Sequence, residues 1–181
     1  MATEPKEYLV ITAVGPDRVG LVEKITQFLL EVGCNIEDSK MAAFCGEFAI
    51  ILLVSGEASG LDKVSSSLDV LKERTGLDFH SKRTSPKSVA DSALPCRLQA
   101  SCLDHPGVVH KFSAALSRRG INIESLETTT QAAPMSGTPI FQLEARLSVP
   151  RQINLHDLRK ELEEIGMREN IDIEFSVLTK R

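Results

Sequence analysis

Asp17 and Asp104 are ionisable residues that recur with matching neighbours at two places in this chain. Each opens an Asp-x-x-Gly-(Leu/Val)-Val pattern, DRVGLV at 17–22 and DHPGVV at 104–109. Each pattern is followed by Gly-x-Asn-Ile-Glu, at 33–37 and 120–124. An aspartate just ahead of a helix could cap it, hold an ammonium group, or do both. The leading N–H groups of such a helix are unpaired and lie at the positive end of its dipole, which suits a carboxylate. Gly20 and Gly107 carry no Cβ, so a ligand or a neighbouring backbone can come close. Asn35 and Asn122 can donate and accept hydrogen bonds, or serve only as turn residues. This is equipment for binding rather than for breaking bonds. Neither aspartate has a repeated base or nucleophile beside it, so no catalytic residue is assigned. His105 and His110 are five residues apart, off a common helix face, and Cys34, Cys45, Cys96 and Cys102 form no CxxC. No metal site and no cofactor are expected. The thiols read as small apolar side chains in a reducing compartment, Lys24 and Lys111 as solvated helix charges, and Arg118-Arg119 as cations at a helix end.

The two patterns sit in a longer repeat. Residues 17–37 align with 104–124 at an offset of 87, with nine of 21 positions identical. Further on the offset is 94, matching Leu61, Val64, Leu68 and Leu71 with Leu155, Leu158, Leu162 and Ile165. The seven extra residues are expected in the Gln131–Pro139 loop, opposite the short Phe44-Cys45-Gly46 turn. The chain is a tandem duplication, and each copy checks the other.

Within each copy, 8–14 and 94–103 read as first strands. Val19, Val22, Ile25, Leu29 and Val32 recur at helical spacing, as do Val109, Phe112 and Leu116. Gly33 and Gly120 fit helix C-termini needing positive φ. Second strands follow over 35–43 and 122–130. Phe141, Leu143, Ala145, Leu147 and Val149 alternate with polar residues, a strand with one wet face. The matched leucine sets form a second amphipathic helix, and 77–83 and 171–177 close each copy with a strand. The order β-α-β-β-α-β, twice, predicts an α+β chain of two tandem ferredoxin-like domains with antiparallel sheets. Their expected spans are 1–84 and 94–181, with a linker rich in small polar residues over 85–93.

Composition narrows the function. The 181 residues include 21 basic and 25 acidic, a formal net charge of −4, which disfavours direct nucleic-acid binding. Residues 1–88 hold thirteen acidic against ten basic, and the remainder twelve against eleven, so neither half is a basic arm. With seven Phe, one Tyr and no Trp, the cores must be Val, Ile and Leu, and for base stacking the central strands offer only Phe48 and Phe141, at core-alternating positions, and Tyr8. The longest apolar run, Phe48–Val54, falls far short of the roughly 20 residues of a membrane span. Met1–Tyr8 carries two glutamates and no apolar stretch, so no secretory signal is read, and a cytoplasmic location is expected.

GPDRVGLV (15–22) with GCNIE, and LDHPGVV (103–109) with GINIE, resemble the ACT family of small ligand-binding domains that regulate amino-acid metabolism. The resemblance implies a non-enzymatic regulator whose small amino-acid effector, glycine first, sits between this loop and the neighbouring strand start, commonly where two domains meet. The aspartates would then hold the effector's ammonium. The implied site residues are Asp17, Arg18, Val19, Gly20, Leu21, Asn35 and Ile36 in one copy. In the other they are Asp104, His105, Pro106, Gly107, Val108, Asn122 and Ile123. It also implies a protein partner, a transcriptional activator or a metabolic enzyme, no DNA contact by this chain, and a homodimer or an intrachain pseudo-dimer. Control of glycine cleavage or of amino-acid metabolism is the implied setting. The alternative of another class is a ligand-free ACT module used only for assembly. Departures from the pattern are Val19 where the second copy has Pro106, and Gly15 and Cys102 where some serine-sensing members carry histidine. The 132–138 insertion could also cover one site.

Overall fold

The computed structural model describes residues 6–85 and 93–178, in two compact units, residues 1–88 and 89–181. The expected linker lies mostly outside the described residues. Unit 1 runs β1 (Glu7–Pro16), α1 (Leu21–Glu31), β2 (Asn35–Phe44), β3 (Glu47–Gly56), α2 (Ala58–Ser66), α3 (Leu68–Thr75) and β4 (Asp78–Thr84). Unit 2 runs β5 (Ala93–Leu103), α4 (Val108–Arg118), β6 (Asn122–Ala132), β7 (Pro139–Pro150), α5 (Leu155–Glu169) and β8 (Asp172–Val177). Each sheet is antiparallel, in the orders β2-β3-β1-β4 and β6-β7-β5-β8. This is the expected α+β plan, twice.

Strand alternation builds both cores. Leu9, Ile11, Phe48, Ile50, Leu52 and Val54 turn inward beneath Ile25, Leu29, Leu61 and Leu71. In unit 2, Leu98, Leu143, Leu147 and Val149 meet Phe112, Leu116, Leu158 and Leu162. Phe48 is buried, so it is closed to base stacking.

The first helix is phased differently from its sequence pattern. Leu21, Ile25, Phe28 and Leu29 face the core, while Val19 is fully exposed and Val22 39% exposed. In unit 2 the inward set is Val108, Phe112, Ala115 and Leu116, with Val109 outward. The cause is the helix start: Gly20 and Gly107 are N-caps with φ +91° and +98°, so Val19 stands outside the helix.

The second helix is continuous in unit 2 but divided at Ser67 in unit 1. Ser65 and Ser66 hydroxyls donate back to the Leu61 and Lys63 carbonyls, a competition with the backbone that bends helices. The seven-residue insertion also divides. Ile36 pairs with Val54 and Ile123 with Leu147, so β3 and β7 are offset by 93. Six extra residues therefore lie in the β6–β7 hairpin and one before α5. Cys34, Cys96 and Cys102 are buried, their thiols pushed up by desolvation, but Cys45 is exposed in the β2–β3 turn at φ +51° and is no core side chain.

Candidate functional site

The repeated loop takes one form in both units. At the end of the first strand the Asp17 N–H donates to Gly46 O (2.8 Å), and the Asp104 N–H to Pro139 O (3.0 Å), so each loop is pinned to the neighbouring hairpin. Both aspartate side chains are exposed, and no side chain caps either helix start. The capping role open to Asp17 and Asp104 is therefore not taken, because Gly20 and Gly107 hold the N-cap position three residues on. A Cβ at either glycine would meet nothing within 4 Å. Glycine is required by the positive φ rather than by a neighbouring backbone, and the space above the helix start is open.

The flanking residues differ. Arg18 sends Nη2 2.6 Å to the Thr75 carbonyl, at the C-terminal end of α3, where a cation is favoured by the helix dipole. Gly76, at φ +73°, lies beneath that guanidinium; a Cβ there would collide with Nη2 unless Arg18 moved. His105, at the equivalent place, has Nδ1 3.2 Å from Pro106 O. Lys24 reaches Arg74 O (3.4 Å) and Lys111 pairs with Glu169, so these lysines tie the first helix to the end of the second rather than standing free. Arg118 and Arg119 both face Glu161, whose single charge offsets one of the two cations.

Within one unit the two halves of the expected site are far apart. Asn35 pairs with Ser55, which pairs with Tyr8, whereas Asp17 follows Pro16. Eight residues along β1 separate those ends, about 27 Å at the rise of an antiparallel strand. Unit 2 repeats this, with Asn122 opposite Ser148 and Pro95, and Asp104 beyond Leu103. Asp17–Leu21 and Asp104–Val108 are each brought together; Asn35–Ile36 and Asn122–Ile123 occupy the opposite sheet ends.

At those opposite ends lies a repeated cluster that the spacing argument missed. Glu37 and Glu124 fall at register shifts in β2 and β6, both bulges at the same place. The buried Ser55 hydroxyl donates to Glu37 (2.6 Å), and Ser148 donates to Glu124. Asn35 Nδ2 (3.0 Å) and Lys6 Nζ (2.6 Å) also donate to Glu37. Lys6, Ser55 and Asn35 together hold the Glu37 carboxyl down at about 2. The signal was the identity of Ser55 and Ser148 at offset 93, visible only once strand register is known.

A shallow recess of about 540 Å³ lies on the open sheet face of unit 2, among Gln99, Glu127, Gln142, Glu144 and Glu174. It contains none of the loop residues. Among the described residues, no group of three or more His, Cys, Asp or Glu is placed to hold a metal ion, and no helix is long and apolar enough to cross a membrane.

Comparison with known proteins now fixes the kinship. ACT domain models match residues 7–82 and 97–166, one in each unit. This chain belongs to the ACT domain family. It is 34% identical over 133 residues to the glycine cleavage system transcriptional repressor of Escherichia coli K12, covering 74% of this chain and 70% of the relative. A crystal structure of a putative glycine cleavage system transcriptional repressor superposes with a TM-score of 0.71 at 28% identity, covering 97% of this ACT chain and 99% of that one. A protein from Galdieria sulphuraria superposes with a TM-score of 0.84 at 27% identity, over 97% of this chain and all of that one. Tandem ACT units with these relatives make the chain a regulatory protein, with kinship to a transcriptional repressor.

Proposed function

We propose that the chain is a non-enzymatic regulator that binds a small amino acid, glycine first, at its ACT loops and acts on a protein partner in the control of glycine cleavage or amino-acid metabolism. One observation carries this reading: both units hold an uncapped helix N-terminus behind a positive-φ glycine, with an exposed aspartate three residues earlier. The helix end suits the α-carboxylate and the aspartate suits the α-ammonium, the two charges every free amino acid presents. The likeness to the repressor supports glycine metabolism as the setting. Because Asn35 and Asn122 lie at the far sheet ends, the loop of each unit binds the effector without the asparagine of that same unit. Ligand binding would then bias how units pack and expose or hide a surface for the partner, a transcriptional activator or a metabolic enzyme.

Calorimetry with each of the twenty amino acids tests the reading. Glycine or a small neighbour should bind with a dissociation constant below millimolar, and Gly107→Val should remove the unit 2 share of the heat while leaving the unit 1 share and the unit 1 melting transition in place. If none of the twenty binds below millimolar, the sensor reading fails and the ligand-free assembly module takes its place.

A further inference from the structure

The two units differ most on the sheet face turned away from their helices. In unit 1 this face carries Val10, Ile51 and Leu53; in unit 2 the same register positions carry Arg97, Glu144 and Arg146. Ile51 is 46% exposed and Val14, two rows along, 50% exposed. Unit 2 shows that this fold tolerates charge at the positions of Val10, Ile51 and Leu53 and a serine, Ser101, at that of Val14, so nothing in the topology calls for apolar residues on the open side of unit 1. A contiguous apolar face retained there points to burial against another surface.

Charge placement selects the occupant. On β2, Asp38 lies beside Leu53 and Lys40 beside Ile51, on the same open face. They have opposite sign and sit two residues apart, and neither forms an ion pair among the described residues. A two-fold axis running across the strands, midway between these rows, sets Asp38 of one copy against Lys40 of the other, twice. The same operation sets Leu53 against Ile51 and Val10 against Thr12. On the β4 edge Lys82 faces His80, which adds no attraction. A surface whose residue i meets j while j meets i is what a closed two-fold dimer requires.

We propose that the open sheet face of unit 1 is a homodimer interface, packed against the same face of a second copy of this chain. Four strands about 4.8 Å apart and some eight residues long give roughly 500 Å² per copy. The total, about 1,000 Å², lies at the lower bound of specific interfaces, the size class of weak or transient association, so the micromolar range is the one to test. The proposal is independent of the ligand reading, because none of the loop residues lies on this face.

Sedimentation equilibrium of the full chain, from about 1 to about 500 μM, tests it across the affinity range concerned. The wild type should pass from monomer to dimer. Ile51→Glu, which installs the unit 2 residue, should raise the dimer dissociation constant at least about 100-fold, as central apolar anchors do. Asp38→Lys or Lys40→Asp alone should raise it about tenfold by setting like charges face to face. The combined Asp38→Lys/Lys40→Asp chain should recover wild-type dimerisation, since the two-fold exchanges the two positions. Glu144→Gln on unit 2 should leave association unchanged. A wild type that stays monomeric throughout overturns the proposal and assigns the face to another partner. So does a dimer that survives Ile51→Glu with its melting profile intact, which would use a different surface. If Ile51→Glu fails to fold, the charge-reversal set decides: a double reversal that associates no better than either single one sinks the two-fold geometry.

Discussion

Where unit 1 sets Val10, Ile51 and Leu53 on its open sheet face, unit 2 sets Arg97, Glu144 and Arg146. Beneath the same strands, Leu9, Ile11 and Leu52 are matched by Cys96, Leu98 and Ala145, all buried. The inner positions stayed apolar after duplication because both sheets must bury one face under their helices. The outer positions were free to diverge, and what they became reports what each face meets. A wet face can carry Arg97 paired with Glu144, an exposed pair of little consequence for stability. An apolar face edged by Asp38 and Lys40, which form no ion pair among the described residues, is the surface the dimer proposal uses.

The hardest test of the comparison is whether the two cores stand apart. Phe112 is among the largest fully buried side chains, and Phe112→Ala should cost unit 2 about 3–5 kcal/mol. Scanning calorimetry should show the unit 2 transition falling while that of unit 1 holds its temperature. A single transition moving as a whole would mean that the units do not unfold separately.

The loops should respond alike. Gly20→Ala and Gly107→Ala each force a side chain into left-handed φ, costing about 1–2 kcal/mol without any clash. Urea denaturation of the two variants should give similar losses, each in its own unit. A large difference would show that Val19 and Pro106 give the loops different rigidity.

Acid should act on unit 1 through Glu37. The Glu37 carboxyl is lowered from 4.5 to about 2 by Lys6, Ser55 and Asn35, and Ala93 stands in unit 2 where Lys6 stands in unit 1. A depressed carboxylate lends stability that is fully present above the unfolded value and is lost as pH falls through the folded one. Unit 1 should therefore weaken progressively between about pH 4.5 and about pH 2, and Glu37→Gln should flatten that decline. Melting temperatures of both chains across that window check it; parallel curves would remove Glu37 from the account.

The smallest expected effect is on folding itself at the open face. Ile51→Glu should change unit 1 stability by no more than about 0.5 kcal/mol, measured below the concentration at which copies associate. Leu52→Glu, one residue along and buried, should prevent unit 1 from folding. Equal damage from both would show that the open face is structural.

Much of this fold was legible in the residues. The identities from Asp17/Asp104 to Glu37/Glu124 showed the duplication, and alternation in Phe141–Val149 showed which side of β7 is wet. The first helices were legible as helices but not in phase. Val19 and Val22 fit the helical spacing, yet Gly20 starts the helix after Val19 and rotates Leu21 and Phe28 inward. The break at Ser67 was hidden because Leu61, Val64, Leu68 and Leu71 keep helical spacing across it. Of the site, Asp17–Leu21 and Asp104–Val108 were legible as loops because their motif is contiguous. Ser55 and Ser148 were not, since their link to Glu37 and Glu124 crosses between strands.

The sequence by itself determined the topology, because turn glycines and apolar periods act locally and were written twice. It determined the family for the same reason. Only the tertiary structure decided that Asp17 and Asn35 lie at opposite ends of one sheet, and that Ile51 faces out while Leu52 faces in. Both depend on strand register, which pairs residues distant along the chain and turns every side chain to the other face with a slip of one residue.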